Sequence, residues 1–376
     1  MHKVPLIVIA DVHGRISPQF SDTLKRHQEY IQEFRKFSSY GETQLLVIQP
    51  SFRIFRNHTL TLAGFQIVNS SAVGILRLRK AIRETNSKPI LIVAGDPSES
   101  FLFAKLIKLL LLNSTIPIQV QIHGEYSKAW AKLNVRNRFR RLLARLNLKS
   151  ASGIRVVTEE QKSYIAESFL IDSKKMVVVP VRLNSASLKA RRQRDANPMS
   201  IGMVGRIHRE RNIEKFAAIA NYFCEANPSL EVIVAGGTTR DRRSARILRA
   251  ISSPNLRILG HVEGDALSET WSRIGVLIST AESESYGRSL REALMHGVPV
   301  LALSSIGSRE LLRECPEAVM VFTENETDVE IYEKFRKILA CKVPLDFRKN
   351  QEARDLNVGS QVARSWKDTI EDEPIG

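Results

Sequence analysis

The sequence of 376 residues predicts an α/β protein with two Rossmann-like, doubly wound domains that face each other across a cleft. Short apolar runs of strand length alternate with longer mixed segments, a pattern typical of a parallel sheet covered by helices. Residues 184–198 interrupt this alternation because they are polar, basic and almost free of apolar side chains, so we interpret them as a linker. We therefore predict a first domain over 1–183 and a second over 199–358, and we allow for a helix over about 359–376 that packs back on the first.

In the first domain, apolar runs of strand length are separated by segments with a helical mixture of apolar and polar residues. The predicted strands are Val4–Ala10, Leu45–Ile48, Ile90–Ala94, Ile118–Ile122, Ile154–Thr158 and Met176–Pro180. The predicted helices are Ser21–Phe37, Ala72–Thr85 and Ser98–Leu112.

The second domain repeats the same alternation more regularly. Its predicted strands are Ser200–Val204, Glu231–Ala235, Leu256–Leu259, Val276–Ser279, Val298–Leu301 and Val319–Phe322. Its predicted helices are Asn212–Ala226, Asp241–Ile251, Asp265–Ser272, Gly287–Met295, Ser308–Arg313 and Asp328–Leu339. Because ligands of doubly wound sheets bind beyond the carboxyl ends of the strands, we expect the site in the cleft between the domains.

Composition narrows the class of protein. The hydrophobic share of 43% is ample for folded cores. The most apolar segment, Phe101–Leu112, is interrupted by Lys105 and Lys108, so it indicates a buried helix rather than a membrane span. The N-terminus reads as the strand Val4–Ala10 rather than as a secretion signal, and the three cysteines are far apart, without metal-ligand spacing or a disulfide framework. These features predict a cytoplasmic protein.

Positive charge is concentrated in the N-terminal half. Residues 1–190 contain 29 Lys and Arg against 13 Asp and Glu, whereas the remainder contains 27 of each. The densest segment, Lys128–Lys149, predicts a basic amphipathic helix that can lie on the inner face of an anionic membrane. The side chains that we assign to this membrane or acceptor face are Arg138, Arg140, Arg141 and Arg145. A core-facing helix with a solvated basic face stays open as the alternative, and nucleic acid is disfavoured because aromatic content is low and no nucleic-acid module is present.

A strand end with Gly and Arg follows the linker. Gly205 and Arg206 close the strand Ser200–Val204, and Arg211 lies just before the next predicted helix. Gly lets backbone approach a ligand closely, and two arginines beside free helix amides can hold a diphosphate, although a basic loop without function is the alternative. The chain has no Gly-x-Gly-x-x-Gly motif, no P-loop and no Asp-x-Asp inside a domain. The arginines, rather than a metal ion or cofactor, would therefore supply the positive charge.

Glu284 and Glu292 form the most informative pair of carboxylates. They lie eight residues apart after the apolar run Ile274–Ile278, and eight residues of helix make about 2.2 turns, which places both on one face. A carboxylate at a helix start is favoured by the dipole, whereas one two turns further is costly to bury unless it bonds a partner such as a sugar or ribose hydroxyl pair. Two solvated glutamates stay open as the alternative.

Together these motifs and their continuation resemble one known family. The matching segments are Gly205-Arg206-Ile207 with Arg211, Leu259-Gly260-His261-Val262, Glu284-Ser285-Tyr286-Gly287, Glu292-Ala293-Leu294, Gly297-Val298-Pro299-Val300, and Gly307 with Glu310. They are similar to the motifs of the retaining glycosyltransferases of family 4, also called group 1, which have the GT-B fold. The chain departs from the family pattern at Arg211, where the family has Lys, and at Asn212, where it usually has Gly.

The first domain resembles the family more loosely. The loop Asp11–Arg15 stands where the family often has a Gly-rich loop beside the diphosphate, and only Gly14 fits that pattern. His123 and Gly124 end a strand where the family often has a His near the donor sugar. Asp96, after another strand, is better explained as a helix cap.

The resemblance implies transfer of a sugar from a nucleotide-diphosphate sugar to a hydroxyl of a glycan or lipid-linked acceptor, with retained anomeric configuration, in cell-surface polysaccharide or glycolipid synthesis. It implies no metal, and attack on the same face from which the diphosphate leaves. Its catalytic residues would be Arg206 and Arg211 at the diphosphate, Glu284 at the sugar hydroxyls and His123 on the acceptor side. The donor-binding residues would be Gly14, Gly205, Tyr286, Gly287, Arg288 and, at the ribose, Glu292.

Other functions of the same fold stay open. A nucleotide-sugar epimerase would act on the donor without an acceptor. A phosphorylase would need a pyridoxal-lysine, for which the sequence has no supporting motif. A non-catalytic or donor-only nucleotide-sugar-binding protein would bind the donor without transfer.

Overall fold

The computed structural model describes residues 3–13, 21–50, 59–62, 65–70, 87–111, 115–132, 134–183, 198–237 and 242–372. The chain divides into two compact units, the first made of residues 1–126, 134–179 and 357–376, the second of residues 127–133 and 180–356. Gly14, the predicted helix Ala72–Thr85 and the predicted linker up to residue 197 lie outside the described residues.

The first unit is built on a mostly parallel sheet. Its strands are β1 (Val4–Ala10), β2 (Gln44–Pro50), β3 (Thr59–Leu62), β4 (Phe65–Ser70), β5 (Ser87–Ala94), β6 (Ile118–Gln121), β7 (Gly153–Val156) and β8 (Met176–Val178). They are ordered β3-β4-β2-β1-β5-β6-β7-β8, and only β3 and β4 pair antiparallel. The second half of β1 and of β5 is fully buried, as expected for central parallel strands covered on both faces.

With one exception, the described helices up to residue 169 belong to the first unit. They are α1 (Ser21–Phe34), α2 (Glu99–Leu110), α3 (Lys128–Lys132), α4 (Val135–Leu148) and α5 (Glu159–Phe169), of which α3 belongs to the second unit. Asn134 and Thr158 cap α4 and α5 by accepting a hydrogen bond from a first-turn amide.

The second unit is built on an entirely parallel sheet. Its strands are β9 (Ser200–Val204), β10 (Glu231–Ala235), β11 (Leu256–Gly260), β12 (Val276–Ser279), β13 (Val300–Leu303) and β14 (Val319–Phe322), ordered β11-β10-β9-β12-β13-β14. Its helices are α6 (Ile213–Ala226), α7 (Arg242–Arg249), α8 (Gly264–Arg273), α9 (Arg288–Met295), α10 (Ile306–Glu314) and α11 (Asp328–Leu339). Its core joins Ile201, Val234 and Ile278 from the strands to Phe216 and Phe335 from α6 and α11.

The last described helix, α12, runs from Leu345 to Glu371. Its part up to residue 356 belongs to the second unit and its part from residue 357 to the first. In the first unit, Val358, Val362 and Trp366 pack into the core formed with β1 and α1. The Trp366 ring lies 6.1 Å from the Phe34 ring. The amide of Gln119 donates to the Thr369 hydroxyl at 2.8 Å, so the end of α12 is fixed to the first sheet by both packing and hydrogen bonds.

The predicted fold class, two sheets of the doubly wound kind with flanking helices, is confirmed. The structure adds the strands β3 and β4, and it starts the C-terminal helix well before residue 359. The strand predicted at Val298–Leu301 begins at Val300 instead, because Gly297 takes a left-handed φ of +81° at the end of α9 and two residues are spent in the turn.

Candidate active site

The strand order of the second sheet reverses at β9, which has β10 on one side and β12 on the other. The loops that follow β9 and β12 therefore leave the same edge of the sheet side by side. Such a reversal is where doubly wound sheets bind ligands. These two loops, residues 205–212 and 280–287, contain Gly205, Tyr286 and Gly287 of the predicted donor-binding residues, and Arg288 follows as the first residue of α9.

Glycines let the backbone of the loops pack directly on backbone. Gly205, with a φ of +136°, donates its amide to the carbonyl of Ala235 at 2.9 Å. Gly236, with a φ of +158°, lies so close that a Cβ atom on it would be 1.7 Å from the Gly205 carbonyl oxygen. Only glycine fits there, and this close backbone contact between Gly205 and Gly236 joins the ends of β9 and β10 at the site.

Arg211 and Glu284 join the two loops by an ion pair. Arg211 Nη1 lies 3.0 Å from Glu284 Oε2, and both side chains are partly buried, at 27% and 18% exposure. The other carboxylate oxygen, Oε1, accepts a hydrogen bond from the Gly287 amide at 3.1 Å. The guanidinium of Arg211 also lies against Gly205, where a Cβ atom would come within 3.3 Å of Nη2. The predicted cation and carboxylate thus lie together at the strand-order reversal.

Hydroxyl and amide groups hold the loops in this arrangement. The buried Thr280 donates its hydroxyl to the backbone carbonyl of Arg211 at 2.7 Å, and the Asn212 amide group donates to Glu282 Oε1 at 2.8 Å. Asn212 also caps α6 by accepting from the Lys215 amide at 3.2 Å. Its φ of +47° lies in the left-handed region, which Asn tolerates better than most residues. A left-handed φ is a conformation that both Gly and Asn adopt at little cost.

Gly307, from the start of α10, completes the loop after β12. Its amide donates to the carbonyl of Glu284 at 2.6 Å. A Cβ atom at this position would lie 2.8 Å from that oxygen and 3.1 Å from the Gly287 nitrogen. The segment Glu284–Gly287 is therefore held from outside by Arg211 and from behind by the backbone of α10.

Glu292 lies in α9 with its side chain 17% exposed. Its nearest cation, Arg288, is half-exposed and reaches Glu292 Oε1 only at 3.5 Å. Burial raises the pKa of Glu292 above its usual range, and the attraction of Arg288 does not offset that effect. A mostly buried carboxylate whose one partner among the described residues is weak is costly, which is the situation expected of a group that binds hydroxyls of a ligand.

Sequence reasoning missed the network beneath the loop, which is centred on Arg291. This arginine is 1% exposed, donates Nε to the Tyr286 carbonyl at 3.1 Å and lies 4.3 Å from the Tyr286 ring centroid. It bonds both carboxylate oxygens of Glu314, at 2.6 and 3.1 Å. Gln351 of α12 accepts from Arg291 at 3.1 Å and donates to the Tyr286 hydroxyl at 3.2 Å. The available signal was an arginine between Leu290 and Leu294 on an otherwise apolar helix face.

The predicted donor residues thus differ in what they can offer a ligand. The Tyr286 side chain is buried in the Arg291 network, so only its backbone can face a ligand. Gly287 is the N-cap of α9 with a φ of +72°, and its amide is already bonded to Glu284. Arg206 is exposed and forms no hydrogen bond or ion pair with a described residue.

His123 belongs to the first unit and follows β6. Its side chain is exposed, and Nε2 lies 3.2 Å from the Gln121 amide oxygen. The following backbone is fixed because Gln161 donates to the Gly124 carbonyl at 2.7 Å.

The four arginines assigned to a membrane or acceptor face separate into two pairs. Arg138 and Arg145 are exposed. Arg140 is only 20% exposed and pairs with Glu99 at 2.9 Å, and Arg141 donates to the Tyr126 carbonyl at 3.0 Å while lying over the Phe169 ring. Arg140 and Arg141 are therefore bound within the first unit, and their assignment to a membrane or acceptor face stays a prediction.

A potential metal-ligand group, His13, Asp96 and Glu99, lies in the first unit, with one ligand atom from each within 4.8 Å. Hydrogen bonds explain Asp96 without a metal, because it accepts from the Ser98 amide at 2.8 Å and from the Ser100 hydroxyl. Burial opposes its ionisation, but these bonds outweigh it and hold the pKa of Asp96 below its usual range. Its role as a cap at the start of α2 thus accounts for the cluster, and Arg140 already binds Glu99.

Comparisons with known proteins agree with this fold. Over 96% of this chain and 98% of the other, the structure is similar to sucrose-phosphate synthase from Thermosynechococcus elongatus, with a TM-score of 0.64 at 14% identity. It is equally similar to HepE of Anabaena, solved in complex with UDP and glucose, with a TM-score of 0.64 at 13% identity over 97% and 99% of the chains. The fold is therefore that of the GT-B glycosyltransferases.

Sequence comparison finds similarity over part of the chain. Residues 185–355 match the family model described as glycosyl transferases group 1. The chain is also 26% identical over 182 residues to a GDP-mannose-dependent alpha-mannosyltransferase of Mycolicibacterium smegmatis. That match spans 48% of this chain and 43% of the relative, so it spans less than half of the relative's length.

Within the described residues, no helix combines the length and apolarity that crossing a membrane requires.

Proposed function

We propose that this protein is a retaining glycosyltransferase that moves a sugar from a nucleotide-diphosphate sugar to a hydroxyl of a glycan or lipid-linked acceptor, in the synthesis of cell-surface polysaccharide or glycolipid. The observation that carries the proposal is the contact of Arg211 with Glu284 at the strand-order reversal of the second sheet. The contact of a cation with a carboxylate, with glycine backbone beside them, supports the binding of one donor molecule by both groups.

The cationic side of the site suits the leaving diphosphate. Negative charge grows on the diphosphate as the bond to the sugar breaks, and a fixed guanidinium stabilises that charge without having to reorganise. Arg211 is held by Glu284 and packs on Gly205, whereas Arg206 is exposed on the same loop and free to approach a bound donor. We assign the main electrostatic role to Arg211 and a supporting role to Arg206.

The carboxylates suit the hydroxyls of the donor. Glu284 keeps unused acceptor capacity because each of its oxygens has one partner in the described part of the chain, and we assign it to the sugar hydroxyls. Glu292, mostly buried with one weak cationic partner, is assigned to the ribose hydroxyls. His123 is assigned to the acceptor side of the sugar, and the diphosphate oxygen to the role of base for the attacking hydroxyl. No metal ion is part of this assignment.

The sequence relatives suggest which donor to test first. Two relatives, each 26% identical to this chain over part of its length, are named GDP-mannose-dependent alpha-mannosyltransferases. We therefore propose GDP-mannose as the leading donor candidate.

The test separates donor binding from turnover. Purified protein would be screened by thermal shift with GDP-, UDP- and ADP-sugars, and turnover of the stabilising donor would be measured as release of the nucleoside diphosphate, alone and with hydroxyl acceptors. Arg211→Ala is expected to lower turnover about 100- to 1,000-fold, as loss of one preorganised donor to a developing oxyanion does. Arg211→Lys keeps the charge that the family has at this position and should retain turnover within about tenfold.

The control is Arg273→Ala, which removes an exposed arginine that pairs with Glu269 on the surface of α8. It should leave both binding and turnover unchanged. Full turnover in a folded Arg211→Ala protein would overturn the diphosphate assignment. Donor-dependent stabilisation without release of diphosphate under any acceptor condition would instead support a non-catalytic nucleotide-sugar-binding protein.

A further inference from the structure

The outer surface of α2 and α4 in the first unit exposes large apolar side chains. On α4 these are Val135, Phe139, Leu142 and Leu146, at 77%, 59%, 54% and 60% exposure. Their spacing of four, three and four residues places them on one helical stripe. On α2, Leu102, Leu106 and Leu109 are 43%, 43% and 67% exposed, at the same kind of spacing. We call these seven side chains the apolar face.

The two helices are neighbours, so their exposed stripes belong to one region of the surface. Helix α2 packs against α4. Arg136 and Arg140 of α4 both bind Glu99 at the start of α2, at 3.0 and 2.9 Å. Asn147 of α4 donates to the Pro97 carbonyl at 2.9 Å. These polar bonds fix the inner contact between the helices and leave their apolar stripes facing outward.

The orientation of α4 is opposite to that of an ordinary surface helix. Its buried residues are Asn137, Ala144, Asn147 and Leu148, two of which are polar, while its aromatic residue Phe139 is exposed. Burying amides and exposing a Phe costs free energy unless another apolar phase covers the exposed side. The apolar face is therefore expected to have an occupant.

The charge next to the apolar face identifies the class of that occupant. Arg138, Arg145 and Lys149 of the α4 region are exposed beside the stripe, and Lys105 is exposed on α2. Helix α4 contains no carboxylate, and the single carboxylate of α2, Glu99, is already bound by two arginines. An apolar stripe bordered by cations without anions complements a bilayer surface with anionic headgroups, into which apolar side chains insert while the cations bind lipid phosphates.

We propose that the apolar face, with Arg138 and Arg145 beside it, docks this protein on an anionic lipid bilayer by shallow insertion of Phe139, Leu142 and Leu146. The helices lie along the bilayer surface and do not cross it. This docking concerns the first unit alone, and it does not depend on the donor chemistry assigned to the second unit.

Vesicle co-sedimentation of the full chain tests the proposal, with phosphatidylcholine vesicles and vesicles of phosphatidylcholine mixed with phosphatidylglycerol. The charge variant Arg138→Gln with Arg145→Gln should weaken binding to the mixed vesicles about 30-fold at low salt. The apolar variant Leu142→Gln with Leu146→Gln should weaken it by about the same factor, because two partly inserted Leu side chains lose their apolar partner. Both positions of each pair are exposed, so neither variant should alter the thermal stability.

Matched controls lie in the second unit. Arg246→Gln with Arg249→Gln removes two exposed arginines from α7, and Val329→Gln with Leu356→Gln removes two exposed apolar side chains. Both control variants should bind mixed vesicles as the wild type does. Donor stabilisation, measured in parallel, should be unchanged in all four variants.

The proposal is overturned if wild-type protein binds neither kind of vesicle, or if the charge and apolar variants bind mixed vesicles as tightly as the controls. Light scattering supplies the remaining alternative. A wild-type dimer in solution that the apolar variant converts to a monomer, without vesicle binding by either, would assign the apolar face to a second copy of this chain and not to lipid.

Discussion

Arg291 allows a test of what supports the loop from Glu284 to Arg288, which contains proposed donor-binding residues. This arginine is 1% exposed, and it contacts Tyr286, Glu314 and Gln351 at once. Replacing it with Met keeps most of the aliphatic volume and removes the charge together with its hydrogen bonds. The substitution leaves the Tyr286 carbonyl and the Gln351 amide oxygen without this donor and removes one of the two cations at Glu314.

The expected cost follows from these contacts. Removing one partner of a buried ion pair usually costs about 3–5 kcal/mol. Glu314 keeps Arg354, at 2.7 Å and 41% exposure, which places its share near the lower end of that range. The two other acceptors add about 1 kcal/mol between them, because water can reach part of the emptied space. We expect a total near 4 kcal/mol in the free energy of unfolding of the second unit, equivalent to a fall of about 10 °C in its melting temperature.

Urea denaturation and differential scanning calorimetry measure this effect. Arg273→Met is the control, because it removes an arginine from a surface pair with Glu269 whose partners are 44% and 64% exposed, and it should cost less than about 0.5 kcal/mol. The double variant Arg291→Met with Glu314→Leu should recover part of the loss, since it removes the carboxylate left with one cation. A change below about 1 kcal/mol in Arg291→Met would refute the view that this network supports the loop.

Three further outcomes follow from the same structure. Burial alone would raise the pKa of Glu314, but its bonds to Arg291 and Arg354 outweigh burial and lower that pKa. The extra stability of wild type over Arg291→Met should therefore be full above the usual Glu pKa of about 4.3 and decline as the pH falls through the lowered value. Denaturation measured at a series of pH values would show this decline. Burial raises the pKa of Glu292, and a protonated carboxyl accepts hydrogen bonds from ribose hydroxyls poorly. As the pH is lowered, the donor affinity measured by calorimetry should therefore begin to fall at a pH above the usual Glu range. Glu292→Gln should remove this dependence. Gly236→Ala should destabilise the second unit by more than about 2 kcal/mol and weaken donor binding, because its Cβ would lie 1.7 Å from the Gly205 carbonyl oxygen. Gly237→Ala is the control, because the nearest atom to its Cβ would be 3.7 Å away. A denaturant titration should show that this second variant is tolerated.

The second unit was largely predictable from the sequence because its strands are apolar runs and its loops carry motif residues. Strand β12, Val276–Ser279, coincides with the predicted one, and helix α11, Asp328–Leu339, was predicted with its observed bounds. The placement of Arg211 beside Glu284 does not follow from spacing alone, since they are 73 positions apart in the sequence. It follows once β9 and β12 are known to be neighbours, because parallel neighbours release their loops at the same edge.

The first unit was less predictable for physical reasons that particular residues illustrate. An amphipathic pattern shows that α4 has two faces, but it does not show which one is buried, and the structure buries Asn137 while it exposes Phe139. Local pattern also gave no reason to separate Arg140, which binds Glu99, from Arg138, which is exposed. Such assignments depend on partners distant in sequence, and here those partners are polar groups at the start of α2.

The loop from Glu284 to Arg288 is held on three sides by interactions of different kinds. Arg211 binds the Glu284 carboxylate from the β9 loop, Gly307 donates to the Glu284 carbonyl from α10, and Arg291 binds the Tyr286 carbonyl from beneath. All of these bonds join groups of the protein itself, so we expect the loop geometry to be set without the proposed donor. Because a site that is fixed in advance spends little of its binding free energy on ordering, the loop can present its backbone and the Glu284 carboxylate to a donor at small entropic cost. Loss of Arg291 should therefore weaken donor binding even though its guanidinium is buried beneath the loop and bonded to Glu314.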